Sequence, residues 1–191
     1  MTGLDLPGFA DPVGDAQTTF RALLDAMARP GTLHEVADLA APPPLGAASA
    51  SVLLTLVDGE TKLWLDAPCI AARAWLVFHC GAVLTADPGE ARFAVSVGMG
   101  SLGIFCAGSD AAPEDSATLI VQVEELGTGP AYRLSGPGLR LPSLLRVAGL
   151  PEDFSAQWAA NHALYPRGID LVLCAGQCFC CLPRSVEIEM G

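Results

Sequence analysis

Strand-like and helix-like segments alternate along the chain, but in places strand-like segments follow each other without a helix between them. Strict strand–helix alternation builds a purely parallel sheet, so this arrangement predicts a mixed sheet in a single α/β domain that covers residues 1–191. At roughly 150 residues per domain, the length of the chain also fits one domain. The predicted strands are 32–36, 61–65, 93–97, 102–106, 118–123, 132–134, 169–173 and 177–183.

The helices are predicted from apolar residues that fall on one face. In 16–28 such residues recur at the spacing i, i+3, i+4 and i+7, and Asp15 stands at the position of an N-cap. Pro30 and Gly31 end this helix. Further helices are predicted at 70–79, 142–150 and 153–164, whereas 48–57 fits either a helix or a strand.

The charge of the chain excludes several classes of partner. Twenty-one acidic residues against ten basic ones give a formal net charge of −11. Proteins that bind nucleic acids or anionic lipid surfaces need a basic face, so we expect no nucleic acid and no membrane as partner. A phosphorylated small molecule is compatible with this charge, because a few arginines suffice to bind it locally.

The apolar content predicts a folded protein with a partner. Hydrophobic residues make up 51% of the chain, which excludes intrinsic disorder. The longest apolar run, 171–183, is shorter than the roughly 18 residues of a membrane-spanning helix. The first residues lack the basic segment of a signal peptide, so we expect a cytoplasmic protein. Charged residues, at 16%, fall below the roughly 25% usual for soluble domains, so we expect another protein chain to cover apolar surface.

Seven cysteines leave two alternatives, reduced buried thiols or a metal site. Structural zinc sites usually bring their ligands in closely spaced pairs, with a second pair elsewhere in the chain. Four cysteines cluster at Cys174, Cys178, Cys180 and Cys181, but no second pair or histidine cluster accompanies them in the sequence. Reduced thiols in the core are therefore favoured, and we expect no bound metal.

The segment 98–103 matches the glycine pattern G-x-G-x-x-G of dinucleotide-binding folds. In those folds the glycines lead into a helix whose N-terminus holds the pyrophosphate, whereas the residues that follow here favour another turn. A glycine hairpin is therefore favoured over a nucleotide site. Lys62 is the single lysine of the chain, and a solvent-facing position on a strand is favoured for it over a role as Schiff-base nucleophile. We expect no cofactor.

Arginines and aspartates stand at turns between the apolar elements. Arg29 follows the first helix, Arg167 and Asp170 stand at the entrance to a buried strand, and Arg184 follows a strand that can pair with it. Such residues either brace loops against the sheet through Arg–carboxylate pairs or surround an anionic ligand. The residues alone favour the brace, with the ligand site as the alternative.

The same segments carry a resemblance to a known family. The blocks that carry it are 15–21, 24–32, 78–79, 117–120, 134–138, 147–150, 165–171 and 182–184. In this order, and over essentially the whole chain, they resemble the H component of the bacterial carbon–phosphorus lyase core complex. The matching blocks contain ten candidate residues for binding or for an interface: Asp15, Gln17, Arg21, Arg29, Gly136, Gly138, Tyr165, Arg167, Asp170 and Arg184.

The resemblance implies a fold, partners and a role. The implied fold is a three-layer α/β/α domain with a mixed sheet, similar to pyridoxal-phosphate-dependent transferases but without their cofactor. The implied assembly is a homodimer in isolation and a complex with subunits G, I and J. That complex attaches a phosphonate to the ribose C1 of ATP with loss of adenine, and no catalytic residue is implied for the H component. The alternative is an independent enzyme for a small phosphate or phosphonate, with a pocket ringed by Arg29, Arg167, Asp170 and Arg184.

Overall fold

The computed structural model describes residues 6–191. Its α-helices are α1 (Pro12–Ala28), α2 (Ala47–Leu56), α3 (Arg73–Cys80) and α4 (Phe154–His162). Its strands are β1 (His34–Glu35), β2 (Lys62–Leu65), β3 (Val83–Thr85), β4 (Phe93–Val97), β5 (Thr118–Gln122), β6 (Glu125–Ser135), β7 (Ser143–Ala148), β8 (Asp170–Ala175), β9 (Cys178–Leu182) and β10 (Glu187–Met190). None of the helices in the described range has the length and apolar character that crossing a membrane requires.

The strands form two sheets. Seven of them make a large mixed sheet in the order β1-β9-β8-β5-β4-β2-β3. The five strands from β8 to β3 are parallel, whereas β9 runs antiparallel to β8 and β1 runs antiparallel to β9. The other three strands make a small antiparallel sheet in the order β10-β6-β7. The prediction of an α/β fold with a mixed sheet is therefore confirmed.

The large sheet separates two hydrophobic cores. Successive residues of β5 point to opposite faces, so Ile120 enters one core and Leu119 and Val121 enter the other. The helices α1, α2 and α3 cover the first face, and α4 together with the small sheet covers the second. Three layers are present as predicted, but the second outer layer contains a sheet as well as a helix. Because both faces are covered, the central strands are apolar at nearly every position.

Helix α1 begins four residues earlier than the sequence pattern predicts. Asp11 is its N-cap, with a side-chain oxygen that accepts a hydrogen bond from the backbone N–H of Gly14 at 3.1 Å. Pro12 occupies the first helical position, where its missing N–H costs nothing. The prediction of Asp15 as N-cap is therefore wrong. Asp15 lies in the first turn, where its carboxylate accepts the N–H of Asp11 at 3.0 Å.

Two predicted elements have the wrong type. The segment 142–150 forms β7 and not a helix, since its residues alternate strictly between exposed Leu144 and Arg146 and buried Leu145 and Val147. The segment 102–106 contains a 3-10 turn (Leu102–Ile104) in place of a strand. The segment 48–57, which fitted two alternatives, is helical as α2, and the short strands β3 and β10 were not predicted.

Candidate functional site

The carboxyl ends of the parallel strands meet at one edge of the large sheet. β2 and β4 are neighbours, yet the chain leaves β2 for the edge strand β3 and only then returns to β4, after which it continues to β5 on the other side. A sheet whose winding reverses in this way has a crevice between the two strands at the reversal, where α/β proteins commonly bind ligands. This edge is therefore the first candidate for a site.

Asp66 joins the strand ends at this crevice. It directly follows β2, and its Oδ2 accepts the backbone N–H of Val97, at the end of β4, at 2.7 Å. Its Oδ1 accepts the N–H of Cys69, in the 3-10 turn that precedes α3, at 2.8 Å. Both oxygens of the carboxylate are thus engaged by backbone groups. Asp66 is not among the residues predicted from the sequence, although an aspartate immediately after a buried strand is a signal that could have identified it.

Residues 98–101 of the glycine segment line a cavity of about 310 Å³ beside Asp66. A β-carbon added at Gly98 or Gly100 would meet no atom within 4 Å, so these two glycines face open space. The next strand after this segment is β5, which runs parallel to β4, so the predicted glycine hairpin is wrong. The segment leads instead into the Leu102–Ile104 turn. A three-residue turn has no aligned helix dipole, so the phosphate-binding helix N-terminus of dinucleotide folds is not formed here.

Gln122 caps α2 from the end of β5. Its Oε1 accepts the N–H of Gly46 at 2.5 Å and the hydroxyl of Ser49 at 2.8 Å, while its Nε2 donates to the carbonyl of Pro44 at 2.6 Å. An adjacent cavity of about 460 Å³ has Glu124 in its lining. The residues that line this cavity and the one beside Asp66 include no arginine, lysine or histidine. An anionic ligand in either of these two cavities therefore meets no counter-charge, whereas a third cavity, at the ends of β2 and β3, has Arg73 in its lining.

We expect Gln122→Ala to lower the free energy of unfolding by about 2 kcal/mol. The substitution leaves the N–H of Gly46 and the carbonyl of Pro44 without their partner, and unsatisfied backbone groups cost about 1–3 kcal/mol. Urea denaturation followed by circular dichroism measures the change. Gln17→Ala, on the exposed surface of α1, is the matched control and should stay within about 0.5 kcal/mol of the parent. Equal stabilities of the two variants would contradict the capping role.

Arg184 and Asp170 form a two-pronged ion pair. The Nε of Arg184 donates to Oδ1 of Asp170 at 3.1 Å and its Nη2 to Oδ2 at 2.5 Å. The remaining Nη1 donates to the carbonyl of Pro113 at 2.7 Å, and the backbone N–H of Arg184 adds a bond to Asp170 at 2.7 Å. The two side chains are only 15% and 19% exposed. This arrangement ties the end of β9 to the start of β8 and is a brace.

The other two arginines of the predicted pocket, Arg29 and Arg167, are also paired within the chain. Arg29, the C-cap residue of α1, pairs with Asp25, whose other oxygen lies 3.3 Å from Nε2 of His34. The Nε of Arg167 lies 3.1 Å from Oδ1 of Asp110, in an ion pair whose angle does not make a hydrogen bond. Each of the three guanidinium groups therefore has a different carboxylate as partner. The pairs of Arg29 and Arg167 are largely exposed, so only the pair of Arg184 is a brace.

Gly136 and Gly138 lie in the loop between β6 and β7. Gly138 has a φ of +87° and packs against the end of α1, where a β-carbon would overlap the carbonyl oxygen of Ala28 and lie 2.8 Å from Pro30 Cδ. Gly136 has a φ of +113°, and a β-carbon there would lie 3.2 Å from the carbonyl oxygen of Ser185. The β6–β7 loop therefore packs against both the end of α1 and the segment that follows Arg184.

The remaining candidates lie on the surface. Gln17 and Arg21 are exposed on α1, and Tyr165 is 62% exposed in the loop before β8. Asp15 is half-buried at the wall of a separate cavity beside α1. The structure therefore groups the ten candidates in three places: the outer face and first turns of α1, the junction of α1 with the β6–β7 loop, and the brace around Arg184.

The cysteines are all free thiols, and most are buried. Cys180 and Cys181 are neighbours on β9 and belong to opposite cores, so their side chains cannot share a metal ion. In residues 6–191, no group of three or more His, Cys, Asp or Glu side chains is placed to hold a metal. Burial raises the pKa of Cys80 and of Cys180 to about 12 and also raises the pKa of Cys181.

We expect four thiols, those of Cys69, Cys174, Cys180 and Cys181, to resist Ellman's reagent at pH 8 while the protein is folded. They are buried, and burial disfavours the thiolate that reacts. Counting the released chromophore before and after addition of guanidinium chloride tests this, because unfolding should expose all seven cysteines. Rapid release of seven equivalents without denaturant would contradict the burial of these side chains.

Comparisons with known proteins agree with one another. The family described as Bacterial phosphonate metabolism protein (PhnH) matches residues 7–189. The chain is 43% identical over 188 residues to the Rhizobium meliloti (strain 1021) protein named Alpha-D-ribose 1-methylphosphonate 5-triphosphate synthase subunit PhnH. This match covers 95% of the chain and 94% of that protein. It is also 34% identical over 177 residues to the Stutzerimonas stutzeri protein HtxG, which is named as a C-P lyase subunit protein. That match covers 91% of this chain and 86% of HtxG.

These matches include the brace, the β6–β7 loop and the elements on both faces of the sheet. They therefore concern the whole described fold and not a single motif. They confirm the resemblance stated from the sequence blocks. On this evidence the chain belongs to the PhnH family of bacterial phosphonate metabolism proteins.

Proposed function

We propose that this chain is an accessory subunit of a carbon–phosphorus lyase core complex. In that complex it supports transfer of a phosphonate to the ribose C1 of ATP, with loss of adenine. The observation that carries the proposal is the 43% identity, over 95% of the chain, with a protein named as a subunit of alpha-D-ribose 1-methylphosphonate 5-triphosphate synthase.

The geometry of the arginines supports an accessory role over an independent phosphate or phosphonate enzyme. Arg29, Arg167 and Arg184 each form an ion pair with a carboxylate of the same chain. A phosphate site that included Arg184 would first have to break its pair with Asp170, which is largely shielded from water. At the carboxyl edge of the sheet, the cavities beside Asp66 and Gln122 have acidic or neutral linings, and the cavity at the ends of β2 and β3 has Arg73 as its single basic residue.

Exposed apolar side chains supply surfaces for partner chains. Val13, Phe20 and Leu24 are 67%, 46% and 55% exposed, and their spacing of seven and then four residues places them on one stripe of α1. Phe78 on α3 is 71% exposed. Large exposed apolar patches usually mark protein interfaces. We infer a cytoplasmic homodimer in isolation, assembly with subunits G, I and J, and a fold similar to that of pyridoxal-phosphate-dependent transferases without their cofactor.

Adenine release tests the proposal. We expect the complete set of subunits, mixed with ATP and methylphosphonate, to release adenine, and we expect omission of this chain to reduce the rate at least tenfold. The chain alone should release none. Release by the isolated chain would favour the independent enzyme, and an unchanged rate without this chain would exclude the accessory role.

Sedimentation equilibrium at micromolar concentration tests the oligomeric state separately. We expect a species of twice the chain mass of 19.7 kDa, since the apolar stripe on α1 and Phe78 on α3 are available for a symmetric contact. A single species of 19.7 kDa would contradict the homodimer. That outcome would leave the adenine-release experiment to decide the accessory role by itself.

A further inference from the structure

We propose that β7 is a site of strand addition, at which an extended segment of a different protein chain, apolar with acidic residues, continues the small sheet. β7 is an edge of that sheet, since only β6 pairs with it in the order β10-β6-β7. An edge strand directs the N–H and C=O groups of every second residue away from its sheet, where another strand can bind to them. The functions proposed above assign no role to this edge.

The other edges of the two sheets are short or covered, whereas β7 is neither. Proteins usually protect edge strands in these ways, or with lysine or proline in the strand. β1 and β3 have only two and three residues, and β10 has four residues and packs against α4. β7 has six residues, without lysine or proline, and among the elements of residues 6–191 only β6 packs extensively against it.

The backbone of β7 leaves room for one kind of partner. Within residues 6–191, no backbone group of 143–147 forms a hydrogen bond outside the pairing with β6. The irregular part of that pairing lies in β6, between Leu126 and Ala131, so β7 itself is continuous. Another extended polypeptide has donors and acceptors at the matching spacing, and nucleic acids and lipids do not.

The side chains of β7 select the composition of the added strand. Leu144 is 66% exposed on the outer face, and Arg146, two residues later, is exposed on the same face. Leu145 and Val147 point the other way, into the core. Residues directly opposite each other on paired strands contact one another. The added strand therefore requires an apolar residue opposite Leu144, an acidic residue opposite Arg146 and apolar residues on its inner face.

The charges favour a different chain over a second copy of this one. Arg140, just before β7, and Arg146 form no ion pair within residues 6–191, although the chain has 21 acidic residues against ten basic ones. The segment 139–148 contains no acidic residue. A second copy of β7 would bring the same cations to the edge and no carboxylate, and like charges on paired strands are destabilising.

Hydrogen exchange of the full chain with a synthetic peptide tests the proposal. The peptide, of about ten valine, threonine and glutamate residues, is designed for antiparallel pairing with valine opposite Leu144 and glutamate opposite Arg146. We expect it to slow the exchange of the amides of 143–148 and to leave those of α3 unchanged. The same peptide with every backbone nitrogen methylated keeps its side chains but cannot donate, and should bind at least tenfold more weakly.

Charge exchange tests the selection of acidic residues. A peptide with lysine in place of glutamate should bind the parent chain at least fivefold more weakly. Arg146→Glu should reverse this preference. It also removes the bond from Arg146 to the carbonyl of Gly129, so Arg140→Glu, which leaves that bond intact, is a second variant and should weaken binding of the glutamate peptide. Arg73→Glu, exposed on α3 across the large sheet, changes the charge equally and should leave the affinity unchanged.

Four outcomes would overturn the proposal. Unchanged exchange of 143–148 with the glutamate peptide would show that the edge binds no strand. Equal affinity of the methylated peptide would show side-chain contact without strand addition, and equal affinity of the lysine peptide would show no selection of charge. Exchange of 143–148 that slows as the concentration of the chain alone rises would assign the edge to a second copy. These measurements are independent of adenine release, so the proposed function stands or falls separately.

Discussion

Replacing Arg184 with alanine is expected to lower the free energy of unfolding by about 3 kcal/mol. The substitution leaves the half-buried carboxylate of Asp170 without its cation and the carbonyl of Pro113 without its donor. Breaking one half of a buried ion pair costs about 3–5 kcal/mol, and partial exposure of this pair places the expected value at the lower end. Guanidinium chloride denaturation measures the change. We expect lost stability and not lost ligand binding, because the guanidinium group is fully engaged within the chain.

A double-mutant cycle with Asp170→Ala separates the interaction energy of the ion pair from the effect of removing each side chain alone. The double variant should be less destabilised than the sum of the two single variants by at least about 1.5 kcal/mol. Arg133→Ala is the control, since Arg133 lies 3.8 Å from Glu189 in a pair that is 54% and 71% exposed, and it should change stability by no more than about 0.5 kcal/mol. Equal effects of Arg184→Ala and Arg133→Ala would mean that the brace contributes nothing.

Gly138→Ala is expected to cost about 3 kcal/mol of stability. An alanine with a φ near +87° loses roughly 1–2 kcal/mol relative to glycine. Its β-carbon would also overlap the carbonyl oxygen of Ala28, a backbone atom that cannot turn away as a flexible side chain could. Crowding of this kind costs about 1–3 kcal/mol. Thermal unfolding of the variant should therefore show a clearly lowered Tm.

Gly127→Ala separates the two contributions. Gly127 has a φ of +93°, but a β-carbon there would meet no atom within 4 Å. This variant should lose only the conformational part, about 1–2 kcal/mol. If both variants lost the same stability, the contact between the β6–β7 loop and the end of α1 would have no energetic weight.

The central part of the fold could be predicted because both faces of the large sheet are covered. β4, β5, β8 and β9 are apolar at nearly every position, so their segments stand out from the turns that flank them. The edge strands β3 and β10 have no such run, since β3 has only three residues and three of the four residues of β10 are exposed. The segment of β7 contains three leucine or valine residues within four positions, a density that fits a helix as well as a half-exposed strand.

The candidate site could be predicted less completely. The pairing of Arg184 with Asp170 was accessible from the sequence, because both stand at the ends of strands that the apolar pattern predicts to be neighbours. Gln122, by contrast, caps a helix that lies 76 residues earlier in the chain, at Gly46. No local pattern reveals a contact of this sequence separation.

The order of the strands in the large sheet has a consequence for synthesis on the ribosome. β8 and β9 are the last strands of this sheet to be translated, yet they lie between β1 and β5. Until they emerge, β1 has no neighbour in the sheet, and one edge of β5 presents unpaired backbone groups beside apolar side chains. The nascent chain therefore cannot close its two cores before translation is almost complete. A product that ends before β8 retains an open apolar edge, which favours strand-to-strand aggregation over assembly with partners.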